Sequence, residues 1–246
     1  MRNTILPPLN AIRAFDILQN VINRLQPEDS VVTLMTPPSL TSNWLLPRIN
    51  RFSETHPEID LRILATRQMP DSRLERIDLS VWQLEGEVDE AFNGTLLFRQ
   101  DVVAVCTPSI LSGKPLPLSY SDFMDLTVLH GQHQLWPLYV SEHFGEALPL
   151  PRRAMRFGLS SLSIDAAIAG QGIALASWFK VQDRIDGGTL VQPFETVLKA
   201  PKHVHLLSMK ARTLTPAARK VRAWLLDEAA AQMRKPSRGG RHLIGS

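Results

Sequence analysis

From Val31 onward, short apolar runs alternate with stretches of helical periodicity, and this alternation constrains the fold more than any other feature. Strands are predicted for residues 31–35, 60–66, 78–82, 102–106, 127–130, 172–177 and 203–208. Helices are predicted from Thr41 or Ser42 to Pro57, from Ser160 to Gly170 or Gly172, and from Pro216 onward. Strands separated by helices over this length predict an α/β architecture with mostly parallel sheets.

An earlier helix is predicted over residues 9–26. Its apolar side chains recur at steps of three and four: Ile12, Phe15, Leu18, Ile22 and Leu25. Such a stripe packs against a partner helix or against the helix's own domain, and the sequence leaves both interpretations open.

Length and composition exclude several classes of protein. The chain has 246 residues, enough for two lobes that each bury a core, and one cysteine, which cannot form an intramolecular disulfide. No apolar run approaches the roughly 18 residues of a membrane span. The N-terminal stretch is broken by Pro7 and Pro8 and lacks the apolar run of a signal peptide, so a cytoplasmic location is expected.

Hydroxyl side chains cluster at two predicted helix starts. Thr36, Ser39, Thr41 and Ser42 follow the first strand, and Ser160 and Ser161 open a later helix. Helix N-termini favour anions such as carboxylates, and ligands of α/β sheets lie beyond the carboxyl ends of strands. Each serine or threonine also suits simple capping. The two clusters together favour effector binding.

Two further residues end predicted strands near the same edge. Thr66 ends the second strand and His130 ends the fifth, and the histidine could donate to a ligand or respond to pH. A purely structural role is the alternative for His130.

Catalytic and metal-binding interpretations find little support. Cys106 lies in the apolar run VVAVC and is predicted to be a core thiol. His130, His133 and His143 lack a carboxylate or cysteine partner at a recognised metal-site spacing. Neither a P-loop nor a Gly-x-Ser-x-Gly elbow occurs. No enzyme, metal or cofactor is predicted.

Several motifs occur in an order that is specific to one family. The block SLTSNWLLPRINRFSETHPEIDLRI (39–63) is followed by IDLSVW (77–82), DVVAVCTP (101–108) and SSLSIDAAIAGQGIAL (160–175). Over about residues 31–230 the chain resembles the effector-binding domain of LysR-type transcriptional regulators. The resemblance is to the branch that includes the glycine-cleavage activator and the β-lactamase regulator.

This resemblance implies the fold of the type 2 periplasmic binding proteins, preceded by a short N-terminal helix. It implies two α/β lobes joined by crossovers near Arg99–Val102 and Lys199–His205, with a ligand cleft at the hinge. The first lobe would comprise residues 31–99 plus 206–231, the second lobe residues 100–205, and a basic disordered tail residues 232–246.

The first 30 residues depart from the family pattern. LPPLNAIRAFD resembles the start of the family's first DNA-binding helix, yet it runs directly into ILQNVINRLQ, which resembles the end of the linker helix. The turn, recognition helix and wing of a winged helix-turn-helix are not found between them. We therefore expect impaired specific binding to promoter DNA.

The resemblance implies a regulator that senses a small, anionic effector. Its expected protein partner is a second copy or an intact LysR-type paralogue, and no membrane is expected to take part. The alternative is a solute-binding protein of a transporter, which shares the fold but needs export. The four basic residues of the tail, Arg234, Lys235, Arg238 and Arg241, predict at most salt-sensitive contact with phosphates.

Overall fold

Two five-stranded sheets organise the computed structural model, which describes residues 30–68 and 77–234. The first sheet contains β1 (Val31–Thr36), β2 (Asp60–Ala65), β3 (Leu79–Glu85), β4 (Phe92–Phe98) and β10 (Lys202–Met209). Its strand order is β2-β1-β3-β10-β4. β2 and β3 run parallel to β1, whereas β10 runs antiparallel to β3 and β4.

Two helices pack with this first sheet. The helix α1 has three consecutive parts, an α-helical start (Pro38–Leu40), a π-helical turn (Thr41–Leu45) and a second α-helical part (Leu46–Thr55). The C-terminal helix α6 (Pro216–Arg234) contacts β1 and β4. Trp44 and Phe52 of α1 and Leu225 of α6 are fully buried in a common core with β1 and β3. We call this unit the first lobe.

The second sheet contains β5 (Asp101–Val105), β6 (Val128–His130), β7 (Ala154–Arg156), β8 (Ile173–Ser177) and β9 (Leu198–Lys199). Its order is β7-β6-β8-β5-β9. Around it lie a 3₁₀ turn (Pro108–Leu111) and the helices α2 (Tyr120–Met124), α3 (Trp136–Phe144), α4 (Ser160–Ile168) and α5 (Trp178–Asp186). Residues of β5 belong to two core clusters, because helices cover both sheet faces. We call this unit the second lobe.

The prediction of mostly parallel sheets is wrong. Each sheet has two parallel and two antiparallel pairings. The antiparallel pairings involve β10 in the first sheet and β5 in the second. These are the strands at which the chain enters each sheet from the other lobe, so they do not follow the strand-helix-strand pattern that makes neighbours parallel.

The two crossovers lie side by side. The chain leaves the first sheet after Phe98 and returns to it at Lys202. The Ala200 N–H donates to the Gln100 carbonyl at 3.0 Å, and Lys199 forms a 2.8 Å salt bridge with Asp101. Residues 202–205 were assigned from the sequence to the second lobe. They form the start of β10 and pair antiparallel with β3, so they belong to the first sheet.

The C-terminal helix is longer than predicted. Residues 232–234, assigned from the sequence to a disordered tail, are helical, because the Gln232 side chain is buried and hydrogen-bonded. Its amide accepts from Trp44 Nε1 at 2.6 Å and donates to the Phe179 carbonyl at 2.7 Å. The predicted N-terminal helix and the rest of the tail lie outside the described residues.

Helix α5 joins the two lobes. It follows β8 of the second sheet, yet its Phe179 belongs to the core of the first lobe and stacks on Phe98 with ring centroids 4.5 Å apart. On the same helix, Asp183 forms a 2.7 Å salt bridge with the buried Arg48 of α1. The start of α5 is therefore held between the lobes.

Candidate functional site

A pocket lies at the hinge, where the carboxyl ends of β6 and β8 meet the start of β5. It encloses about 450 Å³ of space, part of which is open solvent. Its lining combines apolar and polar side chains: Gln100, Val102, Gly131, His133, Leu135, Trp136, Ser160, Ile164, Leu175, Ala176, Ser177 and Lys180.

Two helices begin at this pocket. Ser160 is the first residue of α4, and Ser177 directly precedes α5. Neither helix start has a hydrogen bond from a capping side chain. The positive ends of both helix dipoles therefore lie beside the pocket, where they favour a negatively charged group.

Lys180 brings a cation into the lining. The residue is only 7% exposed, and its ammonium group donates to the Ser39 hydroxyl at 3.2 Å and lies 5.5 Å from the centre of the Phe179 ring. Burial lowers the pKa of Lys180 to about 8. The bond to Ser39 connects α5 with the first turn of α1 in the first lobe.

Two of the residues predicted from the sequence lie at this pocket. Ser160 lines it directly, and Ser39 reaches it through its bond with Lys180. The first turn of α1 also contacts α4, so the two hydroxyl clusters lie next to each other in space. Ser161, the neighbour of Ser160, is buried and does not line the pocket.

Thr41 and Ser42 use their hydroxyl groups within α1. The Thr41 hydroxyl donates to the Pro37 carbonyl at 3.1 Å, and the Ser42 hydroxyl accepts from the Asn43 amide at 3.1 Å. Helix α1 starts at Pro38 rather than at Thr41 or Ser42, because a proline suits the first helical position. Both residues therefore lie inside the helix, and neither caps it.

Thr36 ends β1, and Thr66 directly follows the neighbouring parallel strand β2. The Thr66 N–H donates to the Thr36 carbonyl at 3.0 Å, and the Thr66 hydroxyl accepts from the Gln68 N–H at 3.2 Å. Thr36 is completely buried, and within the described residues its hydroxyl has no hydrogen-bond partner. Neither residue is part of the pocket lining.

His130 is buried at the end of β6, one residue before the pocket-lining Gly131. Burial, and then the nearby Arg156, lower the pKa of its ring, so it is neutral at pH 7. Among the described residues, its Nδ1 has no hydrogen-bond partner. Its carbonyl accepts from the Phe157 N–H at 2.9 Å.

Other titratable side chains give no alternative site. Cys106 is completely buried, and burial raises the pKa of its thiol to about 12, which disfavours the reactive thiolate. Over residues 30–68 and 77–234, no three His, Cys, Asp or Glu residues lie together in a way that could hold a metal ion. In the same residues, no helix is long and apolar enough to cross a membrane.

Gln100, Ser177 and Lys180 line the pocket but were not predicted as site residues from the sequence. Helix α5 was not predicted, so Lys180 was not placed on any element. The available signal was its position: WFK comes directly after the strand IALAS, where a helix start faces the carboxyl end of the sheet. Gln100 lies in a crossover, and its place in the pocket depends on contacts between distant segments.

Comparison with known proteins gives matches over most of the chain. The model of the LysR substrate binding domain matches residues 26–230. The glycine cleavage system transcriptional activator of Escherichia coli K12 is 27% identical over 224 residues, which cover 90% of this chain and 73% of that protein. The transcriptional activator AmpR of Providencia stuartii is 28% identical over 232 residues, 91% of this chain and 75% of that protein.

Solved structures match in the same way. The effector domain of AmpR from Pseudomonas aeruginosa has a TM-score of 0.68 and 27% identity, covering 83% of this chain and 98% of that one. Full-length AphB from Vibrio cholerae has a TM-score of 0.62 at 17% identity, covering 88% of this chain and 74% of that one. The second match shows likeness of fold only.

Proposed function

The chain belongs to the LysR substrate-binding domain family, and we propose that its hinge pocket binds the small-molecule effector of a LysR-type transcriptional regulator. The family membership and the two-lobed α/β fold confirm the resemblance identified in the sequence. The relatives named above are transcriptional activators. They do not favour the alternative of a transporter's solute-binding protein, and they are not enzymes.

One observation carries this proposal. Two uncapped helix starts and a buried lysine converge on a pocket whose walls include Gln100 of the first crossover and residues of α4 and α5. An effector in this pocket touches the elements that connect the lobes. Its binding energy can therefore change how the lobes are held relative to each other.

We propose that some of the residues predicted from the sequence touch the effector and that the others support the pocket from behind. Ser160 would contact the effector directly, and Ser39 would hold Lys180 in place. For the rest of the predicted set we propose supporting roles behind the pocket wall: Thr36, Thr41, Ser42, Thr66, His130 and Ser161.

A binding screen tests the proposal. Small organic acids, amides and amines at millimolar concentration are added to the full chain, and the melting temperature is recorded, since a ligand that binds only the folded state raises it. Compounds that raise it are then titrated by calorimetry. The Ser160→Ala variant is expected to bind them more weakly, whereas Ser109→Ala, an exposed change in the 3₁₀ turn after β5, is expected to bind them unchanged. No stabilising compound, or equal affinity in both variants, would contradict the proposal.

We also propose that the chain associates with a second copy or with an intact LysR-type paralogue, in the cytoplasm. Size-exclusion chromatography with light scattering tests self-association. Co-purification with a tagged paralogue tests the mixed pair. A monomer at micromolar concentration that retains no paralogue would refute this part.

The expected loss of specific DNA binding concerns residues 1–30, of which residues 1–29 lie outside the described residues, and it stays a prediction. Fluorescence anisotropy with the chain's own upstream DNA and with unrelated DNA, each at two salt concentrations, tests it. We expect weak binding that is equal on both DNAs and disappears with salt. A preference for the upstream DNA that survives physiological salt would refute it.

A further inference from the structure

The ammonium group of Lys180 is a buried cation without a counterion. Its residue is 93% buried, and the only hydrogen bond of its Nζ within the described residues goes to the neutral Ser39 hydroxyl. In the same part of the chain, no carboxylate lies within 4.0 Å of this nitrogen. Lysine is rarely buried to this extent without a charged partner, because desolvation of an unpaired charge is costly.

The rest of the pocket leaves this charge uncompensated. No aspartate or glutamate occurs among the lining residues. The other titratable group in the lining is His133, whose pKa is lowered by desolvation and by the nearby charges of Lys180 and Lys202, so it is neutral at pH 7. The lining therefore carries one formal positive charge and no negative one.

Two further features of the pocket also favour a negative charge. The helix starts at Ser160 and Ser177 have no capping side chain, and both point their positive dipole ends to this region. An ammonium group has three hydrogens to donate, and Ser39 takes one of them. Two donors remain for an incoming acceptor.

Gln100 adds a buried amide whose Oε1 has no hydrogen-bond partner within the described residues, and most of the remaining lining is apolar. Val102, Leu135, Trp136, Ile164 and Leu175 make up much of the wall, and Trp136 and Ile164 are almost completely buried. Such a wall suits a compact hydrocarbon group rather than a second charge.

We propose that the pocket takes a monocarboxylate with a compact apolar body, with its carboxylate paired to Lys180 Nζ and its body against the wall formed around Trp136 and Ile164. This inference rests on the proposed function, since it uses the same pocket, and it adds the chemical class of the effector and the residue that selects it. The ligand would also fix the lysine that links α5 to Ser39 of α1. Binding would thereby reinforce a contact between the two lobes.

Calorimetric titration at pH 7 and constant ionic strength tests the inference. The probes are benzoate and butyrate, which have the proposed form, acetate, which lacks the apolar body, succinate, which has a second charge, and benzamide, a neutral analogue of benzoate. We expect benzoate or butyrate to bind the wild type at least about tenfold more tightly than benzamide, acetate and succinate.

Two lysine variants assign the effect to a residue. Lys180→Met is expected to lose at least about tenfold in affinity for the carboxylate and to leave affinity for benzamide unchanged. Lys210→Met, an exposed change outside the pocket lining, is expected to bind every probe like the wild type. The comparison of benzoate with benzamide on the wild type needs no variant, so the test stands even if Lys180→Met folds poorly.

The outcomes separate this inference from the proposed function. A neutral compound from the screen whose affinity falls in Ser160→Ala but not in Lys180→Met overturns the inference and leaves the proposed function standing. Equal binding of benzoate and benzamide, or no binding of any carboxylate while a neutral compound binds, also overturns it. If no compound binds at all, both are overturned.

Discussion

Replacing Lys180 with Met is expected to stabilise the folded protein at neutral pH. The two side chains are similar in length, and Met needs no counterion when it is buried. In the wild type, folding moves the lysine ammonium group from water into a site where only the Ser39 hydroxyl is its hydrogen-bond partner among the described residues. The substitution removes this cost and adds apolar surface to the core of the hinge.

The magnitude follows from the pKa. Burial lowers the pKa of Lys180 from 10.5 to about 8, and at 1.36 kcal/mol per pH unit this corresponds to about 3 kcal/mol of destabilisation when the group is charged. The substitution also loses the bond to Ser39 and the contact with the Phe179 ring, together about 1–2 kcal/mol. The expected net gain in the free energy of unfolding is therefore about 1–2 kcal/mol at pH 7.

The gain depends on pH with a definite sign. Between about pH 8 and 10.5 the unfolded chain holds a proton on Lys180 that the folded chain has lost, so the wild type becomes more stable as the pH rises through this window. The advantage of the variant should shrink over the same window and reach zero or reverse at its upper end. Burial raises the pKa of Cys106 to about 12, so ionisation of its thiol in the unfolded chain lowers the free energy of unfolding as the pH rises. This effect is the same in both proteins and cancels in the difference between them.

Urea unfolding followed by circular dichroism, at several pH values between 7 and about 10.5, measures this difference. Lys202→Met is the control and should match the wild type within about 0.5 kcal/mol. A Lys180→Met protein that is less stable than the wild type at pH 7, or a difference that does not vary with pH, would refute the reasoning. Either result would mean that the lysine is well solvated or paired in the folded protein.

Three other changes have expected outcomes. Gly172→Ala should lower the free energy of unfolding by about 3 kcal/mol or more in urea, because the added Cβ would lie 2.1 Å from the Thr127 carbonyl oxygen. Gln232→Leu should cost about 2 kcal/mol in the same assay, since Trp44 Nε1 loses its acceptor in a buried site. Cys106 should resist maleimide at about pH 8 in the folded protein and react once urea unfolds it, because its thiol is buried and its pKa is raised.

Each of these predictions has a matched control or a contradicting result. Gly158→Ala adds a Cβ with no atom within 4 Å and should change stability by no more than about 0.5 kcal/mol. Met233→Leu changes a residue that is 60% exposed, next to Gln232, and should be neutral. Rapid modification of Cys106 in the native protein would contradict its buried position.

The sequence predicts the parts of this structure that depend on local pattern. β5 and β8 are continuous apolar runs, as expected for strands that are buried on both faces of a sheet. Both occur within about one residue of their predicted limits. Ser160, which lines the pocket, could be singled out because a helix start carries a chemical preference in its own residue type. These features need no knowledge of distant segments.

The lysine of the pocket could not be found in the same way. In SWFKVQDRID, Lys180 looks like one of several charged residues on a surface helix. Its burial arises because α5 packs against α1, a segment about 140 residues away in sequence. The antiparallel pairing of β10 has a similar origin, since the register of a returning strand depends on where the crossover ends and not on the strand's own apolar pattern.

The position of Phe179 also determines how the molecule can be divided. Its ring lies in the core of the first lobe, although its helix follows the second sheet in the chain. A fragment comprising residues 100–200 alone would expose this ring and leave Lys180 without Ser39. Truncation at the crossovers would therefore not give two independently stable domains, and a calorimetric scan of the intact chain should show one cooperative unfolding transition in spite of its two sheets.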